Sequence, residues 1–141
     1  MSFTGRCLCD AVRFEAEGVS TEIHACHCGM CRRWSGGPGM GVETKHVSFT
    51  GEESLSRYAS SEWAERGFCT RCGTNLFYFL KEPGTYTLWL GAFDDQTPFA
   101  LTQEIFVDEK PDSFAFAGEH PRLTADEFLA SLNLPGSEES S

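Results

Sequence analysis

The sequence predicts a mostly β protein of short strands gathered around cysteine-rich metal sites, with one short helix near the C-terminus. Three observations point there. Short apolar runs are separated by turn signals at a spacing of about ten residues, as in sandwiches and barrel-like sheets. Gly (14) and Pro (6) supply those turns. All seven cysteines fall into three tight groups, Cys7-x-Cys9, Cys26-x-Cys28-x2-Cys31 and Cys69-x2-Cys72. At 141 residues, with 40% hydrophobic composition, the chain can bury a core without covalent staples. It reads as one domain over 1–134 followed by a disordered polar tail, 135–141.

Residues 3–16 read as a strand hairpin that turns through Cys9-Asp10 and ends at Gly18. Ile23 leads into Cys26. Arg32 opens a helical turn that breaks in Gly36-Gly37-Pro38-Gly39. Short strands are expected at 39–42, 46–49, 55–58, 67–69, 76–80 and 86–90, then a loop over 91–98, then strands at 104–107 and 114–116. Thr124 and Glu127 form a capping box, with Leu123 and Phe128 as its staple. The helix they start should span 125–132, turn Phe128, Leu129 and Leu132 inward, and stop at Pro135-Gly136.

Charge and composition exclude some functions. A formal net charge of −10 gives no basic face for nucleic acid. No stretch approaches the roughly 20 apolar residues of a membrane span. Met1-Ser2-Phe3-Thr4-Gly5-Arg6 lacks the basic-then-apolar layout of a signal peptide, so a cytoplasmic location is expected. There, clustered thiols are metal ligands or catalytic groups more often than disulfides. Seven cannot all pair within one chain.

Four thiolates close a tetrahedral zinc site, and three leave a position open. One partition is a zinc ribbon from Cys28, Cys31, Cys69 and Cys72, which strands Cys7, Cys9 and Cys26. The better partition gives Cys7, Cys9, Cys69 and Cys72 to one metal and Cys26, Cys28 and Cys31 to another, two zincs per chain. Gly73 after Cys72 lets backbone N–H groups turn toward sulfur, as in metal knuckles. His27 lies between two ligands aimed elsewhere and is expected to support the site or sit at the surface. His24, His46 and His120 carry no signal. An open three-thiolate zinc suits thiol chemistry, because it can lower the pKa of an incoming thiol.

Gly5 to Phe14, Cys26-His27-Cys28-Gly29-Met30-Cys31-Arg32-Arg33 and Arg66 to Thr74, in this order, resemble the glutathione-dependent formaldehyde-activating enzyme (Gfa) or centromere protein V family. Leu90 to Asp95 and Ile105 to Pro111 resemble its later motifs. The resemblance implies a β-tent, Mss4-like fold of short antiparallel sheets. It also implies a structural zinc on Cys7, Cys9, Cys69 and Cys72 and a catalytic zinc on Cys26, Cys28 and Cys31. The implied reaction is that of a carbon–sulfur lyase joining glutathione and formaldehyde as S-hydroxymethylglutathione. The chain departs from the family at Glu104, where relatives often carry His, and at Ser113-Phe114, where they often carry Trp.

For a thiol such as glutathione, Arg32, Arg33 and Arg71 are candidate carboxylate contacts or plain surface charges. Trp34 with the glycine loop could wall a pocket or pack in the core. The alternatives to an enzyme are a zinc module for protein interaction and a thiol-redox or metal-buffering protein. The sequence leaves the oligomeric state open.

Overall fold

The structure, a computed structural model, describes residues 2–132. The expected stop at Pro135-Gly136 and the tail 135–141 lie outside the described residues. The strands are β1 Ser2–Arg6, β2 Arg13–Cys26, β3 Gly39–Thr50, β4 Leu55–Tyr58, β5 Ala64–Cys69, β6 Asn75–Leu80, β7 Thr85–Trp89, β8 Ala100–Ile105 and β9 Arg122–Leu123. The helices are α1 Gly29–Ser35 and α2 Ala125–Leu132. The protein is therefore mostly β with a short C-terminal helix. Among the described residues two compact units are present, 2–23 with Gly41–Ala100, and His24–Met40 with 101–132.

The first unit is an antiparallel meander. β4, β5, β6 and β7 pair in turn, β7 pairs β3, and β1 pairs β2. Alternation buries Phe14 and Ala16 while Arg13, Glu15 and Glu17 face water. Aromatic rings fill the interior. Phe14 meets Phe93 edge-on at 5.4 Å, and Phe77 meets Tyr86 at 5.1 Å and Phe49 at 5.3 Å. Such ring contacts add to the area each ring removes from water.

Several strands run longer than the sequence predicts, and one of them, β5, begins at Ala64 rather than at 67. Gly18, expected to end the hairpin, sits inside β2 with φ +67, so the strand passes through it. β3 joins the two expected strands because Thr44 is fully buried and satisfies its hydroxyl on the Val42 carbonyl at 3.3 Å.

The turn after β3 is a shelf for two cysteine arms. Gly51 has φ +82, and a Cβ there would stand 1.8 Å from the Ala11 carbonyl oxygen, in the loop that follows Cys9. Three residues on, the Ser54 carbonyl accepts from the Thr70 N–H at 2.7 Å and its hydroxyl at 3.1 Å.

In the second unit β8 and β9 pair in parallel, Glu104 opposite Arg122 and Ile105 opposite Leu123. This pair is the exception to the expected antiparallel pattern. β8 ends at Ile105 rather than continuing to 107, because Phe106 turns the chain with φ +58 into a 3-10 turn, Val107–Glu109. Residues 114–116 are not a strand. They are non-regular chain, and their phenylalanines pack on His27 instead. Helix α2 spans the expected residues. The Thr124 hydroxyl accepts from the Glu127 N–H at 3.2 Å, and the Glu127 carboxylate from the Thr124 N–H at 2.8 Å. Phe128 and Leu129 are half-buried, Phe128 against Phe106 at 6.0 Å. Leu132, expected inward, is 41% exposed at the last described position.

Gly51→Ala should lower stability by about 2 kcal/mol or more, from left-handed strain and the clash with Ala11. Urea unfolding measures this, and an unchanged midpoint would refute the tight approach at residue 51.

Candidate metal centres

Two cysteine clusters form, each within one unit. Cys7, Cys9, Cys69 and Cys72 place their sulfurs within 4.8 Å of one another, as do Cys26, Cys28 and Cys31. The zinc-ribbon partition is thereby excluded, since Cys28 and Cys31 do not join Cys69 and Cys72. No cysteine is in a disulfide.

The four-cysteine cluster is assembled from two loops. After β1, Cys7 donates its N–H to the Val12 carbonyl at 2.9 Å, and its sulfur accepts the Val12 N–H at 3.3 Å. The following turn closes through Asp10, at φ +74, whose carboxylate is tied to Arg13 at 2.6 Å. After β5, the Gly73 N–H reaches the Cys69 carbonyl at 2.8 Å, and the Arg71 N–H reaches the Cys69 sulfur at 3.4 Å. This is the N–H-to-sulfur knuckle that a glycine at 73 predicts. Thr74 ties the two loops. Its hydroxyl accepts from the Leu8 N–H at 3.0 Å and lies 3.1 Å from the Cys72 sulfur.

The spacing fits a metal. Four sulfurs about 2.3 Å from a tetrahedral zinc stand about 3.8 Å apart. Cys7 and Cys9 sulfurs are 3.7 Å apart, and Cys9 and Cys69 sulfurs 3.8 Å. A disulfide would need about 2.05 Å. Proton affinities reflect the crowding. The Thr74 hydroxyl holds the Cys72 thiol down to about 5. Although the Ala11 N–H favours its thiolate, Cys9 is pushed up to about 11 by desolvation and the neighbouring sulfurs. Burial raises Cys7, but the Val12 N–H and the flanking thiols bring it below its ordinary value.

The three-cysteine cluster stands where β2 meets α1. Cys26 ends β2, Cys28 caps α1, and Cys31 lies in the first helical turn. The Cys28 sulfur accepts the Cys31 N–H at 3.4 Å, which sets both sulfurs on one side of that turn. Contact with the Cys28 and Cys31 sulfurs, aided by burial, pushes the Cys26 thiol far above the ordinary range. Crowded sulfurs that resist joint ionisation are a donor set for a soft or borderline cation.

His27 is neither a surface residue nor part of the sulfur cluster. It is fully buried, and its Nε2 donates to Glu104 Oε1 at 2.8 Å. Glu104 Oε2 accepts from His120 Nε2 at 2.6 Å and from Arg122 Nε at 2.9 Å. Burial alone would raise the Glu104 carboxyl, yet the donors His120, His27 and Arg122 hold it below its usual value. Arg32 donates through Nε to the His27 carbonyl at 2.9 Å. Arg33 and Arg71 are exposed, and Trp34 is half-buried. Sequence reasoning missed Glu104 as a hub and passed over His120 and Arg122. The available signal was a lone carboxylate just before the apolar pair Ile105-Phe106.

A sequence model described as glutathione-dependent formaldehyde-activating enzyme matches residues 2–109. The chain belongs to this family. It is 34% identical over 134 residues to an uncharacterized lyase of Schizosaccharomyces pombe, covering 92% of this chain and 96% of that protein. It is 28% identical over 124 residues to a Halomonas elongata protein named for the family enzyme, covering 79% of each. A Rhodobacter sphaeroides protein of known crystal structure shares the fold, with a TM-score of 0.57 at 20% identity, over 84% of this chain and 98% of that one. No helix among the described residues is long and apolar enough to cross a membrane.

Glu104 is depressed, so its share of stability is present above the unfolded carboxylate value of about 4.3 and is lost as pH falls through the lower folded value. The stability gap between the native protein and Glu104→Gln should be constant near neutral pH and shrink on acidification. Urea midpoints across that range measure it, and a gap independent of pH would contradict an ionised Glu104.

Proposed function

We propose that the chain is a zinc-dependent, carbon–sulfur lyase-type enzyme that joins a thiol to an aldehyde, with glutathione and formaldehyde as the first pair to test. One observation carries the reading. Cys26, Cys28 and Cys31 converge as a three-sulfur set, one donor short of the four that close a tetrahedral zinc. The family description and the name of the Halomonas relative point to the same substrates, and the name of the Schizosaccharomyces relative to lyase chemistry. Cys7, Cys9, Cys69 and Cys72 are assigned to a closed structural zinc.

In the forward reaction the thiol sulfur forms a bond to the formaldehyde carbon. The carbonyl π pair moves onto oxygen, and the thiol proton ends on that oxygen, giving a hydroxymethyl thioether. A zinc held by the three cysteines would supply a lowered thiol pKa and a fixed position for the nucleophile. The chain's own groups do the rest. β2 and the first turn of α1 hold the three sulfurs on one side. Both guanidinium groups of the Arg32-Arg33 pair lie near Gly29, where a Cβ would be 3.5 Å from Arg32 Nη2 and 3.6 Å from Arg33 Nη1. That pair of cations, directly after Cys31 in sequence, suits a thiol that carries two carboxylates.

Elemental analysis should find two zincs per chain in the native protein and one in Cys28→Ser. Exchange NMR of formaldehyde with glutathione should be accelerated by the native protein and at least about tenfold less by the variant. One zinc per native chain, or equal acceleration by both proteins, would remove this reading and leave a non-enzymatic zinc module.

A further inference from the structure

Resting on the assignment of Cys26, Cys28 and Cys31 as metal ligands, we infer that Glu104 is the positioning residue of that site, acting through His27 on the two cysteines that flank it. Three interactions fix residue 27. Its N–H donates to the Ile105 carbonyl at 3.0 Å, its carbonyl accepts from Arg32 Nε at 2.9 Å, and its ring donates to Glu104 at 2.8 Å. Two come from the strand end that carries Glu104, and the third from the helix that carries Cys31.

The ring depends on Glu104 in particular. His27 Nδ1 is buried and has no hydrogen-bond partner, so the bond to Glu104 is the polar contact that sets the ring's orientation. Phe114 and Phe116 pack against it at 5.9 and 6.0 Å but supply no direction. Glu104 is in turn over-determined. It receives His120 and Arg122 on its other oxygen, and its own N–H reaches the Pro121 carbonyl at 3.0 Å. Arg122 also donates to the Phe116 and Gly118 carbonyls at 2.9 and 3.0 Å, which ties down the segment covering the ring.

A carboxylate at 1% exposure is a poor device for stability alone, because an apolar side chain of similar size often serves as well. What a carboxylate adds is direction. It takes one donor from the cysteine loop and two from the 120–122 segment, and so locks residue 27 to β8 and β9. Phe106, left-handed at φ +58, extends the grip. It turns the chain so that Glu109 Oε1 accepts the Gly29 N–H at 3.0 Å, on the other side of Cys28. Outer groups of this kind commonly change metal affinity by about 10–100-fold.

The test compares native protein, Glu104→Gln and Glu104→Ala, each loaded with cobalt(II) in place of zinc. The readouts are the visible cobalt–thiolate spectrum and metal release to a coloured chelator. In Glu104→Ala one ion per chain should leave at least about tenfold faster, with a shifted spectrum, while the other leaves at the native rate. Glu104→Gln, which keeps an acceptor for His27, should fall between the two and carries the test if the alanine variant does not fold. Native release and spectrum in Glu104→Ala would overturn the inference. So would equal acceleration of both ions in Glu104→Gln, which would make Glu104 a fold residue only. A native protein that binds one ion per chain would instead defeat the metal assignment on which the inference rests.

Discussion

Sulfurs held this close together repel as soon as they ionise. Two thiolates about 4 Å apart repel by about 4 kcal/mol at an effective dielectric of about 20. The spread of proton affinities within the clusters, from Cys72 at about 5 to Cys9 at about 11, shows one thiol ionising readily and its neighbour refusing. Cys26, in contact with Cys28 and Cys31, is displaced further still. A divalent cation reverses the sign of this interaction and turns each cluster from a liability into a cross-link. The loops and turns around each cluster hold the sulfurs at a spacing that would suit such a cation.

The two units meet that constraint differently. In the first, the sulfurs ride on two loops far apart in sequence, and the turn 51–54 supports both, beneath Ala11 on one side and through Thr70 on the other. Thr74 then stitches loop to loop. Four sulfurs on loops braced in this way are the donor set that a closed tetrahedral site requires. In the second unit the sulfurs stand at the end of a strand and the first turn of a helix, elements that keep their geometry with fewer ligands. Among the described residues the second cluster offers three sulfurs, so more of the work of holding them falls to the strand end and the helical turn.

What could be read from the sequence was local. The C-x2-C spacing, the glycine after Cys72, the Thr124–Glu127 box and the bounds of α2 all follow from contacts a few residues apart. The partition of seven cysteines was also legible, because stranding Cys7-x-Cys9 made the ribbon the worse solution. Misreadings came where a distant partner decides. Residues 114–116 form a short apolar run like a buried strand, but their rings cover a histidine nearly ninety positions earlier. Gly18 looks like a stop and is instead an interior residue of β2. Leu132 completes an apolar stripe on α2, yet the helix makes its aromatic contact through Phe128 and leaves Leu132 to water.

The hub at Glu104 was illegible for the same reason, and its composition explains why this chain has a carboxylate there. Its neighbours His27, His120 and Arg122 all present donors. A histidine at 104, the residue the family resemblance leads one to expect, has a single acceptor nitrogen at most and could not receive all three. The carboxylate has two oxygens and a charge that Arg122 balances, so the departure at 104 and the residues at 120 and 122 make one arrangement. Exchanging residue 104 alone for histidine would leave buried donors without acceptors, which is costlier than never having had them. The substitution that looks like a loss in the sequence is thus the acceptor on which the orientation of His27 rests.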